Sequence, residues 1–181
     1  MIIRIKKIAV VLMIVACTLS TLVSAIPISV VRGGDDKNLS RPDFDRSTVT
    51  VIRTDGMRFS FKAEVATRDK DHTYGLMFVR SMPDDRCMIF PYAPPMSVVF
   101  WMKNTLIPLD MLFVRPDGVI GQIKAKAHPQ DETFIYSQGP VSAVIELNGG
   151  LANKYGLSTG DKVESPSIKA QSSKQACSVK G

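Results

Sequence analysis

The chain has 181 residues and a formal net charge of +6, from 23 basic and 17 acidic side chains. Three basic residues (Arg4, Lys6, Lys7) precede residue 26 and three (Lys169, Lys174, Lys180) follow Pro166, with no acid in either segment, so residues 26–165 carry seventeen of each sign. With the net charge carried by the two ends, no folded basic groove is expected, nor nucleic acid as the partner.

The beginning reads as an export leader. Arg4, Lys6 and Lys7 precede the apolar run Ile8 to Val15, and Val23-Ser24-Ala25 has the small-residue pattern that signal peptidase cuts. Cleavage near Ala25 makes residues 1–25 a signal peptide and the product periplasmic or secreted. Two alternatives stand beside it: Ile14-Val15-Ala16-Cys17 is a loose lipidation motif, and an uncleaved segment from Ile8 to Ala25 just reaches membrane-spanning length. Each of the three puts the domain outside the cytoplasm, and the membrane is met only through the leader. Residues 26–47, rich in Gly, Asp, Arg and Pro, read as a linker. Residues 48–165 have the size of one compact domain, and 166–181 read as a disordered basic tail.

Within the domain the pattern is mostly strand. Thr48 to Ile52 and Met57 to Val65 flank Asp55-Gly56, a strong hairpin signal, and in the second arm Met57, Phe59, Phe61, Ala63 and Val65 alternate with polar side chains. Thr67 is placed to cap a short helix over Arg68 to Tyr74 that Gly75 ends. An apolar piece from Cys87 to Phe90, a proline-rich crossing (Pro91, Pro94, Pro95) and a strand from Ser97 to Met102 follow. Asp110 to Val114, the turn Arg115-Pro116-Asp117-Gly118, and Val119 to Lys126 form the next pair. Val141 to Leu147 is a strand, Leu151 to Tyr155 a turn of helix, and a last strand lies around Val163. The fold class expected is mainly β, a small barrel-like or strongly bent mixed sheet with one or two short helices.

Neither a phosphate-binding glycine loop nor clustered His and Cys is present, so the sequence nominates no cofactor and no metal ligand. His72 and His128 read as surface or turn histidines. Cys87 and Cys177 could bridge in an oxidising compartment, although Cys177 falls in the tail.

Polar residues set among apolar ones are the candidates for chemistry. Arg80 follows Leu76 to Val79 and reads as a fork for an anion or as a surface pair with Asp84 or Asp85. Lys103 and Asn104 close a strand; Asn104 suits a turn as well as a pocket. Asp110 is followed by Met111 to Val114 without another polar side chain, so it needs hydrogen bonds or a partner if buried; a pair with Lys103, or backbone donors near Thr105, would pin the loop. The alternative role for Asp110 is a general acid or base with a shifted pKa. Glu146, in Val144-Ile145-Glu146-Leu147, is a second candidate. If the two carboxylates converge they form a pair suited to acid–base hydrolysis; otherwise Glu146 is a half-exposed strand position. Trp101 falls on the strand face opposite Phe100 and Met102, which makes it either a core residue or a pocket wall for a sugar ring or apolar ligand.

"GLMFVRSMPDDRCMIF" (75–90), "FWMKNTLIPLDMLFVRPDGVI" (100–120) and "VIELNGGLANKYGLSTGDKV" (144–163) together resemble the domain of unknown function 192 family. The family's pattern falls on Gly75, Leu76, Met77, Arg80, Trp101, Met102, Lys103, Asn104, Pro108, Asp110, Glu146, Gly149, Gly160 and Asp161. Cys87 departs from it, standing where a glycine is usual, which favours a special role for the thiol. The resemblance implies a compact, barrel-like β domain, often exported in bacteria, and no assigned activity. The function expected from residues and resemblance together is a non-catalytic ligand-binding or interaction module of the bacterial envelope. Its pocket is expected from Arg80, Trp101, Lys103, Asn104 and Asp110, its partner a small molecule, a glycan or an envelope protein. The alternative is a hydrolase or lyase on an envelope polymer with Asp110 and Glu146 as acid and base.

Overall fold

The computed structural model describes residues 40–168. In chain order the elements are β1 (Asp45–Ile52), β2 (Arg58–Val65), α1 (Asp69–Tyr74), β3 (Arg86–Met96), β4 (Val99–Phe100), β5 (Leu109–Val114), β6 (Ile120–Ala127), β7 (Ile135–Tyr136), β8 (Val141–Asn148), α2 (Leu151–Lys154) and β9 (Lys162–Glu164). Seven strands form one sheet in the order β6-β5-β8-β3-β2-β1-β9, while β4 and β7 make a separate two-stranded ribbon. Every pairing is antiparallel except that of β2 with β3.

The hairpin forms as its alternation requires. Gly56 takes a φ of +87° in the turn, and Val49 and Val51 stand opposite Phe61 and Phe59. β1 begins at Asp45, three residues ahead of Thr48, because buried Phe44 anchors its start. At α1 the capping position is taken by Arg68 rather than Thr67, and the Asp71 carboxylate accepts the Arg68 backbone N–H at 3.1 Å. The proline-rich stretch is not a crossing but the second half of β3. Its ladder with β8 breaks after Pro91 and resumes at Met96, as prolines without N–H groups demand. The strand expected over Ser97 to Met102 shrinks to β4, since the Met102 N–H turns away to the Asp131 carbonyl at 2.8 Å.

The sheet curls until its two edges meet. Val119 bridges Lys162, and the Val163 N–H donates to the Gly118 carbonyl at 2.8 Å, which joins the start of β6 to β9 and gives the barrel-like form. Its two faces bury different side chains. Val49, Val51, Phe61, Ile89, Leu112, Ile145 and Leu147 fill one core; Met88, Phe90, Met111, Phe113 and Val144 pack the other, beneath Tyr74, Leu76 and Met102.

Asp110 ties three elements together. Two residues of β6, Ala125 and Lys126, stand opposite Asp110 where the register shifts between Leu109 and Met111. The bulge puts Lys126 at φ +46° and frees its N–H, which donates to Asp110 Oδ1 at 2.7 Å. The N–H groups of Gly150 (2.9 Å) and Ala152 (2.7 Å) donate to Oδ2, so the same carboxylate caps the first turn of α2. Gly149 allows the approach: a Cβ there would fall 2.8 Å from Pro108 Cβ.

Replacing Asp110 by Asn keeps the shape but puts an amide where N–H donors converge. The expected cost is about 3 kcal/mol, a fall in Tm on the order of 10 °C by calorimetry. An unchanged Tm would show that the three bonds do not brace the fold.

Candidate functional site

Among the described residues four carboxylates are buried: Asp71, Asp110, Glu146 and Asp161. A carboxylate removed from water has to recover its hydrogen bonds from the protein or give up its charge. Three recover them. Asp71 accepts from the Arg68 guanidinium at 2.7 and 2.9 Å and from the Arg68 N–H, and the guanidinium bond holds its pKa below the usual carboxylate value. Asp161 accepts the N–H groups of Thr54 (3.0 Å) and Ser158 (2.8 Å). Asp110 has the three donors already described.

Glu146 is different. It is 4% exposed, and its neighbours on the flanking strands are Met88 and Met111, both fully buried. No described residue donates a hydrogen bond to its carboxyl. Since no fully sealed side-chain oxygen or nitrogen among the described residues lacks a partner, the Glu146 oxygens open onto the cavity they line. That cavity has a volume of about 30 Å³ and is walled by His72, Phe90, Phe100, Trp101, Lys103 and Thr105 together with Gly75, Leu76 and Met77. It has room for about one water-sized group. Burial pushes the Glu146 carboxyl up to about 8 from 4.5, so at neutral pH it is mostly protonated. The Tyr92 hydroxyl is pushed up too, first by burial and then by the charge of Glu146.

The mouth is aromatic and cationic. Phe100 and Met102 turn inward, Phe100 edge-on to Phe90 at 5.2 Å and to Phe113 at 6.1 Å, and this turns Trp101 outward. Trp101 is 39% exposed, lies against Phe134 at 6.2 Å between ring centroids, and carries the Lys103 ammonium 5.3 Å from its ring centre. With Val99, Phe134 and Tyr136, all exposed, it forms an apolar apron along the β4–β7 ribbon. On the inner wall His72 Nε2 lies 2.8 Å from the Ala66 carbonyl; as a carbonyl only accepts, Nε2 carries the proton and Nδ1 is the basic nitrogen.

Trp101, Lys103 and Glu146 therefore come together, whereas Arg80, Asn104 and Asp110 stay apart from them. Arg80 is exposed and does not line the cleft. The pair expected with Asp84 or Asp85 does not form, because Asp84 is held by Lys154 at 2.8 Å and Asp85 by Lys62 at 2.8 Å. Asn104 makes a turn at φ +56°, its carbonyl accepting the Phe78 N–H at 2.9 Å, and its amide reaches only the Met77 sulfur at 3.9 Å. The Lys103–Asp110 pair is replaced by Lys103 over Trp101 and by the three backbone donors to Asp110. The carboxylate pair fails for a topological reason: Asp110 stands opposite Leu147 and Glu146 opposite Met111, so the two acids project from opposite faces of the sheet. Glu146 is also buried rather than half-exposed, since β8 lies in the middle of the sheet with both faces covered. His72 and Thr105 join the site without any local sequence signal; the fold alone brings them in.

Other features hold less chemistry. Hollows of about 390 and 410 Å³ lie elsewhere, and neither contains a buried carboxylate. Cys87 lines the first of these; its thiol is buried and pushed up to about 12 by burial and, secondarily, by Glu64, which suits a packing role rather than a nucleophile. Cys17 and Cys177 lie outside the described residues. No group of three or more His, Cys, Asp or Glu among the described residues is placed to hold a metal ion.

Glu146 gives stability a definite pH dependence. Between about 4.5 and 8 the unfolded chain loses this proton while the folded protein keeps it, so stability falls as pH rises across that window and levels off above it. Urea unfolding of Glu146→Gln is expected to lack that component. Its stability relative to wild type should rise by a few kcal/mol from pH 5 to pH 8.5. A constant difference between the two proteins would contradict the raised pKa.

Residues 50–165 match the model of the DUF192 family, described as "Uncharacterized ACR, COG1430". No curated protein matches the chain. Among solved structures, a Sinorhizobium meliloti 1021 protein provisionally named a transcription regulator is similar at 36% identity and a TM-score of 0.67, over 70% of this chain and 98% of that one. A protein of unknown function from Novosphingobium aromaticivorans DSM 12444 is similar at 42% identity and a TM-score of 0.64, over 70% of this chain and 94% of that one. With its motifs, its curled sheet and the match over nearly the whole described domain, the chain belongs to the DUF192 family.

Proposed function

We propose that this protein is an exported, non-catalytic ligand-binding module of the bacterial envelope, whose ligand enters between Trp101 and Lys103 and meets Glu146 at the floor. The observation that carries the reading is the contrast among the buried acids of the described residues: three accept bonds from N–H donors or a guanidinium, and Glu146 faces a cavity with no described residue donating to it. Because no described residue bonds the Glu146 carboxyl, it is available to donate to or accept from whatever enters the cavity. The exposed Trp101 supplies an aromatic ring and Lys103 a cation beside the same cavity. Export rests on the basic and apolar leader with its Val23-Ser24-Ala25 cleavage pattern. The balanced charge of residues 26–165 argues against carrying DNA binding over from the Sinorhizobium protein's name. Catalysis by a carboxylate pair is disfavoured because the cleft contains one carboxylate.

Trp101 is the only tryptophan, so its fluorescence reports directly on the cleft. Titration with envelope glycans, short peptides and small charged metabolites is expected to shift or quench it for one class. Trp101→Ala should weaken binding of that class by about tenfold in calorimetry while moving Tm by only a degree or two. Silence from every class would overturn the binding reading.

A further inference from the structure

Glu146, 4% exposed, lines a space that admits about one water-sized group, and the walls suggest what would satisfy it there. A water or hydroxyl can hydrogen-bond the neutral acid but gives no reason for an acid rather than an amide. An ammonium offers up to three N–H donors and a charge that favours the ionised carboxylate. The aromatic walls formed by Phe90, Phe100 and Trp101 suit a cation as well. Lys103 at the mouth repels a bare cation but attracts an anion carried beside it. We infer that the cleft takes the ammonium end of a small zwitterion of the amino-acid type, with Glu146 as counter-ion to the ammonium and Lys103 facing the carboxylate.

The groups around Glu146 are compatible with this. From α1 comes His72, whose Nε2–H is spent on the Ala66 carbonyl; from β3 the Tyr92 hydroxyl; from the segment after β4 Lys103 and Thr105. Met88 and Met111 on the flanking strands do not titrate. Binding converts the Glu146 acid to its carboxylate, the ligand keeps its ammonium, and one proton leaves to solvent for each ligand bound. Affinity accordingly rises with pH up to about 8, where the free acid is already ionised, and levels off until the ligand's own ammonium titrates.

This inference rests on the binding reading, and three probes separate the two. Free glycine carries both charges, methylammonium only the cation and acetate only the anion. Followed by Trp101 fluorescence and calorimetry on the full chain, glycine is expected to bind more tightly than methylammonium, and acetate not to bind. The glycine affinity should rise roughly tenfold per unit between pH 6 and 7.5, with one proton released as read from two buffers of different ionisation heat. Glu146→Gln should abolish glycine binding at every pH while remaining folded. Lys103→Met should bring glycine down to the level of methylammonium and keep the pH dependence. Equal binding of acetate and glycine, or an affinity constant between pH 6 and 8, would overturn the inference. If glycine and methylammonium are silent but a glycan or peptide shifts Trp101, the zwitterion is wrong and the binding module stands. Silence from all of them removes both.

Discussion

The register between β5 and β8 is the constraint on which the rest depends. Pairing Asp110 with Leu147 and Met111 with Glu146 fixes which side of the sheet each acid faces, since a slip of one residue would turn every side chain over. One acid goes to the core beside Leu112 and Leu147, where the first turn of α2 and the bulge of β6 supply donors. The other goes to the core of Met88, Met111 and Phe113, where the neighbouring strands supply none. The same sequence pattern, an acid in an apolar strand, thus has two physical outcomes.

These outcomes divide structure from function. Asp110 collects N–H groups 16, 40 and 42 residues away, and these three bonds tie β5 to β6 and to the start of α2. Glu146 stabilises nothing by hydrogen bonding and weakens the folded state as it ionises. The cavity that Glu146 shares with Trp101 and Lys103 is where a group from outside the fold can reach it.

What was legible in the sequence was local. Alternation in Met57 to Val65 and the Asp55-Gly56 turn read correctly as a hairpin, and alternation around Phe100, Trp101 and Met102 correctly separated the outward ring from the inward pair. Two-residue strands such as β7 leave no pattern long enough to see. Prolines hid the second half of β3, because the cue for a break also fits a strand with an interrupted ladder. At the site, the depth of Glu146 could not be read, since alternation tells which face a residue takes but not whether that face is covered. The donors to Asp110 were equally invisible, being distant in sequence, so the nearby Lys103 looked like the partner. Arg80 reads as a pocket residue because it follows an apolar run, yet that run is itself a turn, with Phe78 at φ +63° and the Val79 N–H on the Leu76 carbonyl, and Arg80 ends up exposed.

The cleft turns on Glu146, a buried acid that burial keeps protonated at neutral pH. A site-resolved NMR titration of the Glu146 side-chain carboxyl carbon tests this most directly. The expected midpoint is near 8, with the wild-type protein folded throughout. A midpoint near the ordinary glutamate value of 4.5 would mean that the carboxyl is solvated or paired, and would contradict it.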